Sequence, residues 1–191
     1  RPFPERPIFR IFSMSKPVTA IAMAILHDRA LWQPEDPIAR HIPELRDLDV
    51  ARGLDATGRL RRSPASRQPT MHELMTHTAG FSYGQAEAAS GARRRRRDPV
   101  DELYHRAGLM KARSSAEFLA NLSELPLAHE PGAAWRYSVA VDLQGAIVER
   151  LSGRSLAQFC REEIFEPLGM HDTAFHLPRR ERHRLAAMYV R

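Results

Sequence analysis

The chain has 191 residues, 43% of them apolar, and a formal charge of +6, enough for one domain with a real core. It holds no apolar run of the roughly 18 residues a membrane-spanning helix needs, and its single cysteine, Cys160, excludes an internal disulfide framework. Much of the positive excess sits in the run Arg93 to Arg97 and the cluster Arg179, Arg180, Arg182 and Arg184. Without zinc-finger spacing or an RNP-type aromatic motif these read as solvated charge, and no nucleic-acid partner is expected.

The best strand candidate is Ile8 to Phe12, leading into Ser13. From Ser13 to Arg29, residues Val18, Ile21, Ala22, Ile25 and Leu26 recur at helical spacing. Pro17 falls in the first turn, where a missing N–H does least harm. Pro34, Pro37 and Pro43 then break the chain around a short helical piece at Ile38 to His41. The polar stretch 46–68 reads as a surface excursion able to hold short strands. Thr70-Met71-His72-Glu73 is a capping box that opens a short helix ending near His77. A second excursion, 79–98, is rich in Gly, Ala and Ser.

Further helices are expected over Asp101 to Met110 and Ser115 to Leu122, the second with Ser114 and Glu117 as a capping box. Glu130-Pro131-Gly132 is a turn. Val139 to Leu151 is an amphipathic helix that Gly153 stops. Ser155 and Gln158 cap the next helix, which runs to about Phe165, and Pro178 to Met188 is one more candidate. Cys160 reads as a small buried hydrophobe. His41, His105, His129 and His183 read as surface or capping residues.

Two patterns could carry chemistry. In Ser13-Met14-Ser15-Lys16 the serine and lysine stand three apart, so on a helix they share a face with Cβ atoms about 5–6 Å apart. A free serine is a poor nucleophile and needs a nearby base. A lysine can serve once burial disfavours its charged form, and a helix start aims N–H groups at developing negative charge. The pattern alone is short and occurs by chance. His72 and His77 suggest a zinc-protease helix, but they stand five apart instead of four, which rotates the second off the shared face. No metal and no cofactor is expected.

Context around the serine is more specific. The segment from Phe9 to Pro17 resembles the nucleophile region of the family VIII carboxylesterases, which share the class C β-lactamase fold. Leu74-Met75-Thr76-His77-Thr78-Ala79-Gly80, Trp135-Arg136-Tyr137-Ser138 and Glu166 to Thr173 resemble later segments of that superfamily, in the right order. The resemblance implies an α+β parent fold, of which this chain would be one partial domain. It would be mostly α-helical, with few short strands and much of the antiparallel sheet missing. It further implies that Ser13 is acylated, that Lys16 and Tyr137 share the proton transfers, and that the Ser13 N–H supplies half of an oxyanion hole. Which of Lys16 and Tyr137 is the base stays open.

The third place of the tyrosine box holds Val139, where class C β-lactamases carry an asparagine that contacts the substrate amide. Valine cannot donate that hydrogen bond, which favours an esterase of short-chain esters over a β-lactamase or D-alanyl-D-alanine carboxypeptidase. A non-catalytic binding protein of the same fold is the remaining alternative. Tyr83 is a candidate substrate contact beside the His77-to-Gly80 segment. Trp135 could line the acyl pocket, though core is the favoured reading. The superfamily's third box, a glycine-bearing strand, has no candidate after Tyr137. The sequence therefore reads as a piece of a longer chain, lacking N- and C-terminal parts and nearly inactive by itself. The expected partner is a small ester. Oligomeric state stays open, as does the compartment, with cytoplasm ahead of periplasm.

Overall fold

The computed structural model describes residues 5–84 and 98–188. The run Arg93 to Arg97 and most of the second excursion lie outside the described residues. A 3-10 turn, Phe12–Met14, leads directly into α1, Ser15–Asp28. Two strands, β1 (Asp49–Leu54) and β2 (Leu60–Pro64), follow, and then α2, Met71–Met75. Next come α3, Pro99–Ala107, and α4, Ser115–Ser123. Helix α5 is Ala140–Ser152, and α6, Leu156–Cys160, continues into a π-helical turn at Arg161–Phe165.

Helix α5 is the centre of the core. Its Leu143, Ile147 and Val148 are fully buried, and it packs against α1, α2 and α6. Helix α1 contributes Ala22, Met23 and Leu26 to the same core, and the Trp32 indole donates to the Met23 carbonyl at 2.8 Å. Burying each Leu, Ile, Val and Met side chain among them contributes roughly 1.5–3 kcal/mol. Gly153 ends α5 with φ +68, the left-handed conformation that a Cβ disfavours.

The helix starts follow the sequence closely. Thr70 accepts from the Glu73 N–H while Glu73 accepts from the Thr70 N–H, a complete capping box. Ser155 caps α6 through the Gln158 N–H. At α4 the box is half formed: Ser114 accepts from the Glu117 N–H, but the Glu117 carboxylate takes the N–H of Arg113, one residue earlier than expected. Helix α3 begins ahead of its expected start, because Asp98 caps the Val100 N–H and Pro99 fits the first turn.

The excursion over 46–68 is a hairpin. Strands β1 and β2 pair antiparallel, Val50 opposite Ser63 and Leu54 opposite Leu60, with an irregularity between Ala51 and Leu54. This is the only sheet among the described residues, consistent with a mostly helical chain whose α+β parent sheet is much reduced.

Several expectations are corrected. Ile8 to Phe12 is not a strand: Ile8 forms one isolated parallel bridge to Leu185, and a 3-10 turn begins at Phe12. Pro178 to Met188 holds only a 3-10 stretch, Arg179–Arg184. Within that stretch Arg184 is not freely solvated, since it pairs with Asp172 at 2.8 Å and Glu181 at 2.9 Å. His41 is buried and meets the Asp36 carboxylate at 3.1 Å. Cys160 is buried as expected, and desolvation pushes its thiol up to about 11, which leaves it inert.

Candidate active site

The turn that carries Ser13 begins at a strained residue. Phe12 has φ +45, a conformation that costs a residue with a Cβ roughly 1–2 kcal/mol. Ser13 follows it in the 3-10 turn, and Lys16 lies in the first turn of α1. Lys16 Nζ donates to Ser13 Oγ at 3.3 Å. The Ser13 N–H donates to no described residue, so it is available to a developing oxyanion.

Tyr137 reaches the same hydroxyl from a distant part of the chain. Its Oη lies 3.2 Å from Ser13 Oγ. The loop that carries it is tied down on both sides. On one side the Arg136 guanidinium pairs with Asp98 at 2.9 Å and Asp101 at 2.7 Å. On the other the Val139 N–H donates to the Ser82 carbonyl at 3.1 Å, and the buried Ser82 hydroxyl donates to Asp101. Asp101 therefore joins the loops that carry Tyr137 and Tyr83.

His77, Tyr83 and Tyr137 form an aromatic wall. The His77 ring stacks on Tyr137 at 5.4 Å with a 20° interplanar angle, and Tyr83 tilts against Tyr137 at 5.3 Å. Lys16 Nζ sits 4.9 Å from the Tyr137 ring centre and 5.9 Å from that of Tyr83, within cation–π range. Gly80 lets the segment after His77 run close to its neighbours. With φ +95, an added Cβ there would come within 2.5 Å of the His129 carbonyl oxygen.

The electrostatics favour a reactive phenol. Partial desolvation pushes Tyr137 up, but the hydrogen bonds with Lys16 and Ser13 and the lysine charge outweigh it, leaving the phenol below its ordinary value. Tyr83 moves the other way: burial and then the Asp142 charge hold it above the ordinary value. Burial first, and then Lys16, hold His77 below the usual histidine value. Asp142, in the first turn of α5, is raised by desolvation despite a side chain that still meets solvent.

A cavity of about 590 Å3 opens beside Ser13 and Lys16. Its wall includes Tyr83, Leu109, Met110, Phe118, Asp142 and Phe175. That volume and mostly apolar lining suit a small organic acyl or alcohol group.

The structure thus brings Ser13, Lys16, Tyr137 and Tyr83 together. It does not bring the other two candidates to the cavity. Trp135 is 66% exposed, so it is not core; its indole stands edge-on to His77 at 6.2 Å and adds nothing to the cavity wall. Val139 is fully buried, because it precedes α5 with its side chain turned into the core, and no substrate can touch it. Sequence reasoning missed two residues at the site. His77 entered only as a failed metal motif and as part of a matching segment, and the left-handed Phe12 carries no signal in its residue type.

A profile of the Beta-lactamase family matches residues 1–191. The chain belongs to that family. A Mycobacterium tuberculosis protein, Rv1367c, is 38% identical over 98% of this chain and 44% of its own length. Esterase EstB of Burkholderia gladioli is 33% identical over 92% of this chain and 40% of its own. Among solved structures, EstCE1, described as a hydrolase with promiscuous acyltransferase activity, superposes with a TM-score of 0.71 at 28% identity, over 97% of this chain and 44% of its own. The chain spans less than half the length of each of these relatives. Its fold is that of the β-lactamase and penicillin-binding-protein superfamily, family VIII carboxylesterases included.

Proposed function

We propose that the protein is a serine esterase that passes an acyl group through Ser13. The observation that carries this reading is the convergence of Lys16 Nζ at 3.3 Å and Tyr137 Oη at 3.2 Å on one hydroxyl. The likeness to an esterase and to a hydrolase with acyltransferase activity supports it.

The lowered Tyr137 phenol beside Lys16 supports the following steps. Tyr137, ionised beside the Lys16 ammonium, accepts the Ser13 proton as Oγ attacks the ester carbonyl. The Ser13 N–H stabilises the oxyanion. Collapse breaks the ester C–O bond, and the leaving alkoxide takes the proton back from Tyr137. Water then attacks the acyl-enzyme by the same route in reverse, releasing the acid and restoring Ser13. An alcohol in place of water would give acyl transfer, the second reading, which the likeness to EstCE1 favours.

The test uses the protein expressed from its own gene, assayed with a short-chain nitrophenyl ester and with a chromogenic cephalosporin. Ester turnover is expected to exceed cephalosporin turnover in kcat/KM by at least about tenfold, since no residue at the Val139 position reaches the cavity to hold a substrate amide. Preferential cephalosporin turnover would overturn the esterase reading.

A further inference from the structure

We infer that His77 is a positioning residue that sets where the Tyr137 phenol stands over Ser13. The inference rests on the reading of Tyr137 as the proton carrier. One histidine holds three consecutive residues. Its carbonyl accepts from the Arg136 N–H at 2.9 Å. Its ring stacks on Tyr137. Its Nδ1 lies 3.0 Å from Ser138 Oγ.

The protonation of this contact follows from an accounting of donors. Ser138 is buried, and its oxygen accepts from the Ala140 N–H at 3.3 Å. The Ser138 hydroxyl proton still needs an acceptor. Among the described residues His77 Nδ1 is the acceptor within its reach. Ser138 therefore donates to Nδ1, and the imidazole is neutral with its hydrogen on Nε2. A neutral ring can lie flat beside a phenol that must ionise without competing with Lys16 for the new charge.

The backbone supports the same conclusion. His77 has φ +59, a left-handed conformation that glycine adopts at no steric cost and that a residue with a Cβ adopts only at a cost. A plain end to α2 would be better served by glycine. The strained residue is the one that offers both a carbonyl and a ring to the Arg136-to-Ser138 tripeptide, as expected where strain serves a site. Neither contact is a metal ligand, so the near-match to a zinc motif is unrelated to what the ring does.

The test is a double-mutant cycle between His77 and Tyr137, read as the rate constant for Ser13 labelling by a fluorophosphonate. His77→Asn keeps an acceptor and tolerates the left-handed backbone but removes the stacked ring. His77→Gly relieves the backbone and removes both side-chain contacts, so it guards against misfolding of the first variant. Each is expected to slow labelling roughly 10–100-fold in the native background, with thermal unfolding still cooperative. In a Tyr137→Phe background the same changes are expected to cost less than about twofold, because the group they position is gone. Equal losses in both backgrounds, or no loss in the native one, would overturn the role of His77. Labelling that persists in Ser13→Ala would instead count against the acyl-enzyme reading itself.

Discussion

Replacing Ser13 with alanine is expected to lower ester hydrolysis on the order of 10⁴-fold or more, a loss of at least about 5 kcal/mol of transition-state stabilisation. Ser13 Oγ is the atom on which Lys16 and Tyr137 converge, so without it the lysine and phenol have no proton to move. The change should leave the fold intact. Ser13 is exposed, and its hydroxyl bonds only these two side chains among the described residues. Surface substitutions of that kind shift stability by about 0.5 kcal/mol or less. Activity should therefore vanish while the unfolding midpoint stays nearly where it was. A stable variant that retains most of its ester turnover would place the nucleophile elsewhere.

Tyr137→Phe separates the phenol from the ring. The ring contacts with His77 and Tyr83 can persist, so the loss measures the hydroxyl. General acid–base catalysis typically contributes 10²–10⁴-fold, and a loss of about that size in kcat/KM is expected. The pH dependence carries the sign. In the proposed mechanism the base is the phenolate, so kcat/KM is expected to rise with pH as Tyr137 ionises. Desolvation, the largest single effect, raises the phenol, but the hydrogen bonds with Lys16 and Ser13 and the lysine charge together hold it below its ordinary value, so the rise comes at lower pH than for a free tyrosine. In the phenylalanine variant that limb disappears. An unchanged limb in Tyr137→Phe would assign the base to another group.

How much of this was legible in the sequence depends on distance along the chain. The Ser13 and Lys16 pair was, because one helical turn fixes their separation from spacing alone. The capping box at Thr70 and the glycine stop at Gly153 are local in the same sense. Tyr137 was reached only through resemblance, since no local rule brings it to Ser13. The left-handed backbones of Phe12 and His77 were invisible, because no glycine stands at either position to mark them. Trp135 was misjudged by size: a large indole usually buys its place in a core, but here it lies exposed on a loop, edge-on to His77. His41 was misjudged by polarity, since Asp36 satisfies it inside the protein. Ile8 to Phe12 was the best short apolar candidate for a strand but found one bridging residue in Leu185 and no ladder to join.

The most direct measurement is the mass of the protein quenched during turnover of a nitrophenyl acetate. The expected result is a gain of one acetyl group, mapped by peptide sequencing to Ser13 and absent from Ser13→Ala. Turnover with no covalent adduct, or an adduct carried on another serine such as Ser66 or Ser152, would contradict acylation at position 13.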